Sequence, residues 1–147
     1  MTLNRPYRIL LVEDNKAEVR LLQEAFSESA EPLELHAVWD GEEALNFVYG
    51  RDRHAGKPRP DLILLDINLP KINGHQVLRN LKNEPDLKRI PVLMLSGSRS
   101  AADIQSAYDN YANAYLQKPS DLNDYFHLVS ELKKFWLRVV ALPAALA

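Results

Sequence analysis

The sequence predicts an α/β fold with a doubly wound parallel sheet, and three observations predict it. Five short apolar runs alternate with five segments of helical period, the alternation that successive strand–helix–strand units produce. The runs are continuously apolar rather than alternating, most clearly in Leu62-Ile63-Leu64-Leu65, as strands buried on both faces must be. Polar or turn-forming residues follow directly, at Glu13-Asp14-Asn15, Asp66, Ser96-Gly97 and Lys118-Pro119, so the runs stop where a strand should end. At 147 residues the chain fits a single domain, residues 1–147, with its core expected over about 8–137 and an apolar tail over 138–147. Right-handed crossovers make 2-1-3-4-5 the strand order most compatible with five such units.

The first strand is expected over Arg8–Val12. A helix over Lys16–Phe26 follows because Val19, Leu22 and Phe26 share one face, and Asn15 with Glu18 has the spacing of a capping box. Glu34–Val38 is the second strand and Gly41–Val48 the second helix, carrying Ala44, Leu45 and Val48. The polar stretch Gly50–Pro60 is then a loop, longer than most connections. Leu62–Leu65 forms the third strand with Asp66 at its end, and Val77, Leu78 and Leu81 place the third helix over Gly74–Leu81. Pro85 stops it by disfavouring helical geometry at Glu84. Val92–Leu95 is the fourth strand, and a helix over Ala101–Tyr111 runs through Ile104, Ala107, Tyr108 and Tyr111. After the fifth strand, Ala114–Gln117, Ser120 can cap a last helix that ends near Leu137. Its face is Leu122, Tyr125, Phe126, Val129, Leu132 and Trp136, and Asp121 and Asp124 sit near its positive end.

Composition removes several classes of function. The chain has no cysteine, which excludes disulfides, thiolate metal sites and thiol nucleophiles. A net charge of −2 gives no general basic field for nucleic acid, and the cluster Arg51, Arg53, Lys57, Arg59, set among Gly56, Pro58 and Pro60, reads as a solvated loop. No segment has the length and charge-free character of a membrane span, and Met1–Arg8 lacks an apolar stretch that would serve as a signal, so a cytoplasmic location is expected.

The candidate chemistry lies at the carboxyl ends of the strands, where open α/β sheets bind ligands. Glu13, Asp14 and Asp66 converge there and would raise one another's proton affinity unless a cation were present. Magnesium fits, since it takes oxygen ligands from one or two carboxylates and keeps positions for phosphate oxygens and water. Taken alone, Glu13-Asp14 is also what a solvated turn before a helix looks like. Asp66 is harder to explain that way, because it ends a continuously apolar strand where an unpaired charge is costly. Lys118 alone reads equally as a surface lysine, but a Lys-Pro pair after a buried strand can adopt a cis bond that fixes the ammonium over the acidic edge. The Ser96 hydroxyl can donate to a phosphoryl oxygen beside the unobstructed backbone of Gly97.

These residues resemble the response-regulator receiver domain of bacterial two-component signalling. The matching pieces are Leu10-Leu11-Val12-Glu13-Asp14, Leu64-Leu65-Asp66-Ile67-Asn68-Leu69-Pro70 with Gly74, Leu95-Ser96-Gly97 and Tyr115-Leu116-Gln117-Lys118-Pro119. They occur in the family's order over about Arg8–Trp136. The resemblance implies a flavodoxin-like sheet with five helices. It also implies that Asp66 accepts a phosphoryl group from a histidine of a sensor kinase, with magnesium held by Glu13, Asp14, Asp66 and the backbone carbonyl of Asn68. Lys118 and Ser96 would then bind the phosphoryl group, and Tyr115 would follow Ser96 inward as an aromatic switch, altering the surface formed by the fourth helix, fifth strand and fifth helix. The chain departs from the commonest family pattern at Ser96 for threonine, Asn73 for aspartate and Ser120 for an aromatic residue. Asn68 and Ser98 occupy positions that tune the lifetime of the acyl phosphate in this family.

The Gly50–Pro60 loop, the segment Asn83–Pro91 and the ending Phe135–Pro143 are similar to the stand-alone response regulators of cyanobacterial phytochromes. That similarity implies a light-regulated histidine kinase as phosphodonor. The tail Val139–Leu146 could join Phe135 and Trp136 in a homodimer interface, or fold back on its own subunit. Other functions fit less well. A phosphatase of the haloacid dehalogenase type needs a second acid two residues after its nucleophile, and Asn68 stands there. A flavin binder is poorly served by an acidic edge, and an interaction module that never uses phosphorylation would look the same in sequence.

Overall fold

The computed structural model describes residues 5–51 and 54–143. Arg53 of the basic loop cluster and Ala144–Leu146 of the tail lie outside the described residues. The chain runs β1 (Tyr7–Val12), α1 (Lys16–Ser27), β2 (Leu33–Val38), α2 (Gly41–Tyr49), β3 (Leu62–Leu65), α3 (Gly74–Asn83), β4 (Val92–Ser96), α4 (Ala101–Asp109), β5 (Ala114–Gln117) and α5 (Leu122–Leu132). All four strand pairings are parallel, and the order is β2-β1-β3-β4-β5, as the sequence predicts.

The sheet's two faces carry separate cores, because alternate residues of each strand point to opposite sides. Leu10, Val12, Ile63, Leu65, Val92 and Met94 pack with α2 and α3 on one side. Ile9, Leu11, Leu62, Leu64, Leu93 and Leu95 pack with α1 and α5 on the other. β3 is buried at every residue, which is why its sequence is uniformly apolar. β2 is an edge strand and is buried only at Val38.

Several local expectations are corrected. Asn15 caps α1 by accepting from the amides of Ala17 and Glu18, but Glu18 does not complete a capping box, because its carboxylate turns to Lys118. The Asn15 amide donates instead to Glu13 Oε2. The cap of α5 is Asp121, not Ser120, with the Asp121 side chain accepting from the Asp124 amide. α4 stops at Asp109, two residues before the predicted end; Tyr111 has a φ of 68° and is 75% exposed, so it leaves the core face. Leu122 also lies off the buried face of its helix. No peptide bond among the described residues is cis, so the Lys118–Pro119 bond is trans and the lysine is positioned by its ion pairs.

After α5 the chain continues as a wide π-helical turn over Lys133–Val139. Leu137 and Leu142 are buried against Tyr7, whose hydroxyl donates to the Leu137 carbonyl. The described part of the tail therefore folds back on its own subunit, while Phe135 and Val139 remain exposed.

Gly74 sets the distance between α3 and the end of β3. Its amide donates to the Ile67 carbonyl, and a Cβ there would stand 2.1 Å from the Asp66 carbonyl oxygen and 2.7 Å from the Ile67 Cα. Backbone cannot yield as a flexible side chain can. Gly74→Ala should therefore cost about 2 kcal/mol or more in urea denaturation, as overpacking does. A midpoint unchanged from the parent would show that α3 can be displaced without consequence.

Candidate functional site

Sheet topology brings the carboxyl ends of β1, β3 and β5 to one edge. Glu13 and Asp14 follow β1, Asp66 follows β3 and Lys118 follows β5. The Asp66 amide donates to the Val12 carbonyl, which holds the two acidic ends level, and the Lys118 amide donates to the Ser96 carbonyl. The lysine ammonium then reaches Glu13 Oε1 at 2.5 Å and Asp66 Oδ2 at 3.2 Å, and forms an ion pair with Glu18 at 2.7 Å. Asp66 is 6% exposed, and its other oxygen accepts from the Ile67 amide at 2.7 Å. One oxygen is thus locked by backbone while the other faces the cation. Asp14 is exposed, and Asn68 lies exposed on the loop after β3.

The charges at this edge are out of balance, with four carboxylates around one ammonium. Burial pushes the Glu13 carboxyl up to about 8, the hydrogen bond from Lys118 opposes that rise, and Glu18 and Asp66 add to it. Burial works to lower the Lys118 pKa, but the Glu13 hydrogen bond, the Glu18 contact and the field of Asp66 outweigh it, and the net shift is upward. Oxygens of Glu13, Asp14 and Asp66 lie within 4.8 Å of one another. An all-oxygen donor set, partly open to water and short of positive charge, fits a hard divalent cation such as magnesium and not a soft metal.

Ser96 is completely buried, and its Oγ accepts from the Ser98 amide at 3.2 Å. Tyr115 is half-buried, and its hydroxyl donates to the Ser98 carbonyl at 2.9 Å. Both candidate switch residues therefore hold Ser98, one through its amide and the other through its carbonyl. The Ser98 hydroxyl in turn donates to Asp103 Oδ2 at 2.6 Å, and His75 of α3 lies 3.3 Å from Asp103 Oδ1. The Ser98 hydrogen bond, followed by His75, holds the Asp103 carboxyl below its ordinary value.

Sequence reading misses Glu18, His75 and Asp103. Glu18 is hidden behind its capping-box spacing, although it stands one helical turn beyond the acidic pair. His75 and Asp103 carry no local signal, since 28 residues separate them and only the packing of α3 beside α4 joins them.

Asp14 separates metal binding from folding because it is exposed. Magnesium at a hundred times its Kd should stabilise the chelated protein by about 2.7 kcal/mol. Asp14→Asn should retain the metal-free Tm and lose most of that increment in a thermal melt. An unreduced increment would remove Asp14 from the site.

The sequence matches the response regulator receiver domain model over residues 9–130. It is 46% identical over 142 residues to the response regulator Rcp1 of Synechocystis sp., covering 97% of both chains. It is 39% identical to the probable methanogenesis regulatory protein FilR2 of Methanothrix harundinacea, covering 90% of this chain and 84% of that one. Among solved structures, the phosphorylated cyanobacterial phytochrome response regulator RcpA superposes with a TM-score of 0.91 at 46% identity, over 94% of this chain and 99% of that one. The Mn(2+)-bound form of Rcp1 gives 0.90 at 45% identity with the same coverage.

Proposed function

The chain belongs to the response regulator receiver family, and on that premise we propose that it is a single-domain, cytoplasmic phosphorelay protein whose Asp66 takes a phosphoryl group from a sensor histidine kinase of the phytochrome type. The observation that carries this reading is the Lys118 ammonium lying between the carboxylates of Glu13 and Asp66 on the open edge of the sheet. The likeness to Rcp1 and RcpA supports the choice of kinase.

Asp66 Oδ2 would attack the phosphorus of a phosphohistidine. An O–P bond forms, the P–N bond breaks, and the imidazole leaves with its electron pair and takes a proton. The Ile67 amide keeps the second Asp66 oxygen in place, which fixes the direction of attack. Positioning and charge neutralisation are the main needs of phosphoryl transfer. Lys118, already desolvated and fully charged, supplies positive charge beside the nucleophile. Glu13, Asp14, Asp66 and the Asn68 carbonyl would hold magnesium, which supplies further neutralisation of phosphoryl charge. The chain would contribute to its own modification without being an enzyme that turns over a separate substrate.

Ser96 would donate its hydroxyl to a phosphoryl oxygen. A turn of Oγ toward the acidic edge would release the Ser98 amide, and Ser98 also holds the Tyr115 hydroxyl. Release of that segment would let Tyr115 move and change the surface of α4, β5 and α5. Exposed Phe135 and Val139, in the π-helical turn that follows α5, are apolar residues available for a homodimer interface.

Native mass spectrometry of the chain with magnesium and acetyl phosphate should show one phosphoryl adduct, absent in Asp66→Asn. Persistent labelling of that variant would move the acceptor elsewhere. In the same spectra Phe135→Asp should lower the dimer fraction by about tenfold, as loss of a central aromatic anchor does. An unaltered dimer fraction would place the interface away from this helix.

A further inference from the structure

A well-formed concavity lies at the opposite end of the sheet from the acidic edge. It is a groove of about 340 Å³ at the amino ends of the central strands, lined by Arg5, Arg8, Arg59, Arg89 and Asp86 over a floor that includes Asp61 and Pro91. The four arginines come from separate places in the sequence, and topology alone collects them. Arg8 is in β1, while Arg59 and Arg89 stand three residues before β3 and β4 respectively, and these three strands are neighbours in the sheet.

One carboxylate already shows what these donors select. Asp61, with a side chain 2% exposed, is held by the Arg5 guanidinium through two hydrogen bonds of 2.8 Å and also accepts from the Arg8 amide at 2.8 Å. That pair is self-neutralised, and the resulting hydrogen bonds raise the Arg5 pKa. The side chains of Arg8, Arg59 and Arg89 have no hydrogen-bonded or ionic partner among the described residues, and Asp86 is the one other acid in the lining. Three guanidinium groups therefore face a preformed concavity without a direct partner, and Asp86 is the only unpaired acid among the described residues of its lining.

We propose that this groove is a docking site for a short acidic peptide segment of a protein partner. Guanidinium forks pair with carboxylates in two-pronged geometry. Neighbouring strands are ~4.8 Å apart, so arginines rooted on three successive strand starts span roughly 10 Å. Same-side carboxylates of an extended peptide recur every ~6.8 Å, so two or three of them match that span. A single phosphate would engage only part of the array. A long polyanion is disfavoured by Asp86 at the rim and by the chain's net charge of −2. The groove is removed from the acidic edge by the length of β1, six residues or about 20 Å, so its occupant leaves Asp66 accessible. A partner can hold the protein here while a kinase addresses the other end.

The test uses the full chain and a dye-labelled hexaglutamate peptide in fluorescence anisotropy. Arg59 and Arg89 are exposed, so Arg59→Glu with Arg89→Glu should leave folding and Asp66 labelling by acetyl phosphate intact while weakening peptide binding by about tenfold or more. Asp86→Asn should tighten binding, and added salt should weaken it. Equal binding by the parent and the double variant would overturn the proposal. Tighter capture of a single-stranded oligonucleotide than of the peptide would also overturn it, by assigning the groove to nucleic acid. Concentration-dependent self-association that the double variant abolishes would overturn it in favour of the acidic edge of a second copy.

Discussion

One ammonium ties three strand ends together. Lys118 must reach from the end of β5, past the end of β4, to acids that follow β3 and β1. β4 ends at Ser96, and the backbone of Gly97 beyond it borders open space. The Ser96 carbonyl fixes the start of the path by accepting the Lys118 amide. A parallel sheet with β1 and β3 central supplies the rest, since it brings residues far apart in sequence to one edge. Gly74 belongs to the same constraint, because any larger residue would collide with the backbone of Asp66 and force α3 away from it.

The edge is assembled for receptivity rather than for stability. Burying Glu13 beside Asp66 and Glu18 raises its pKa to about 8, which records how poorly one lysine balances the group. A hydrophobic core can be built without such a cluster, and the two cores on either face of this sheet are apolar and closely packed. The stability forgone at the edge is what makes added positive charge favourable there. A phosphoryl group brings further negative charge, so an edge with only Lys118 would resist it, whereas an edge that also recruits a hard cation would not.

The fold was legible because burial on both faces leaves a strong mark on sequence. β3 and β4 contain no charged residue, and their bounds match expectation to within one residue. β2, an edge strand with half-buried residues, begins one residue earlier than its pattern suggests. Asp66 was visible because a charge directly after an apolar run is locally expensive, and Lys118 because Pro119 follows it at a strand end. Tyr111 was misread because apolar periodicity continues past the point where its left-handed backbone ends α4. Glu18 and Ser120 were misread because capping residues are interchangeable at the sequence level, and tertiary partners decide which one caps. The arginine groove was illegible, since Arg59 sits in sequence beside Arg51 and Lys57 but in space beside Arg8 and Arg89.

The route from the site to the surface follows from how Ser98 is held. Its amide is bound by Ser96, its carbonyl by Tyr115 and its hydroxyl by Asp103, which His75 approaches from α3. The bonds to Ser96 and Tyr115 are each worth about 1 kcal/mol net, and the bond to the Asp103 carboxylate about 1.5–3 kcal/mol. One new charge-assisted bond from Ser96 to a phosphoryl oxygen, about 1.5–3 kcal/mol, would outweigh the single Ser96–Ser98 bond. With Ser98 held at all three polar groups, a turn of Ser96 toward the acidic edge would unpair the amide of a residue that also anchors Tyr115 and Asp103. The same loop leads into α4, whose N-cap is Ser100 and whose first turn contains Asp103. Movement at Ser98 would thereby reach the start of a helix, where a small displacement moves a whole exposed face.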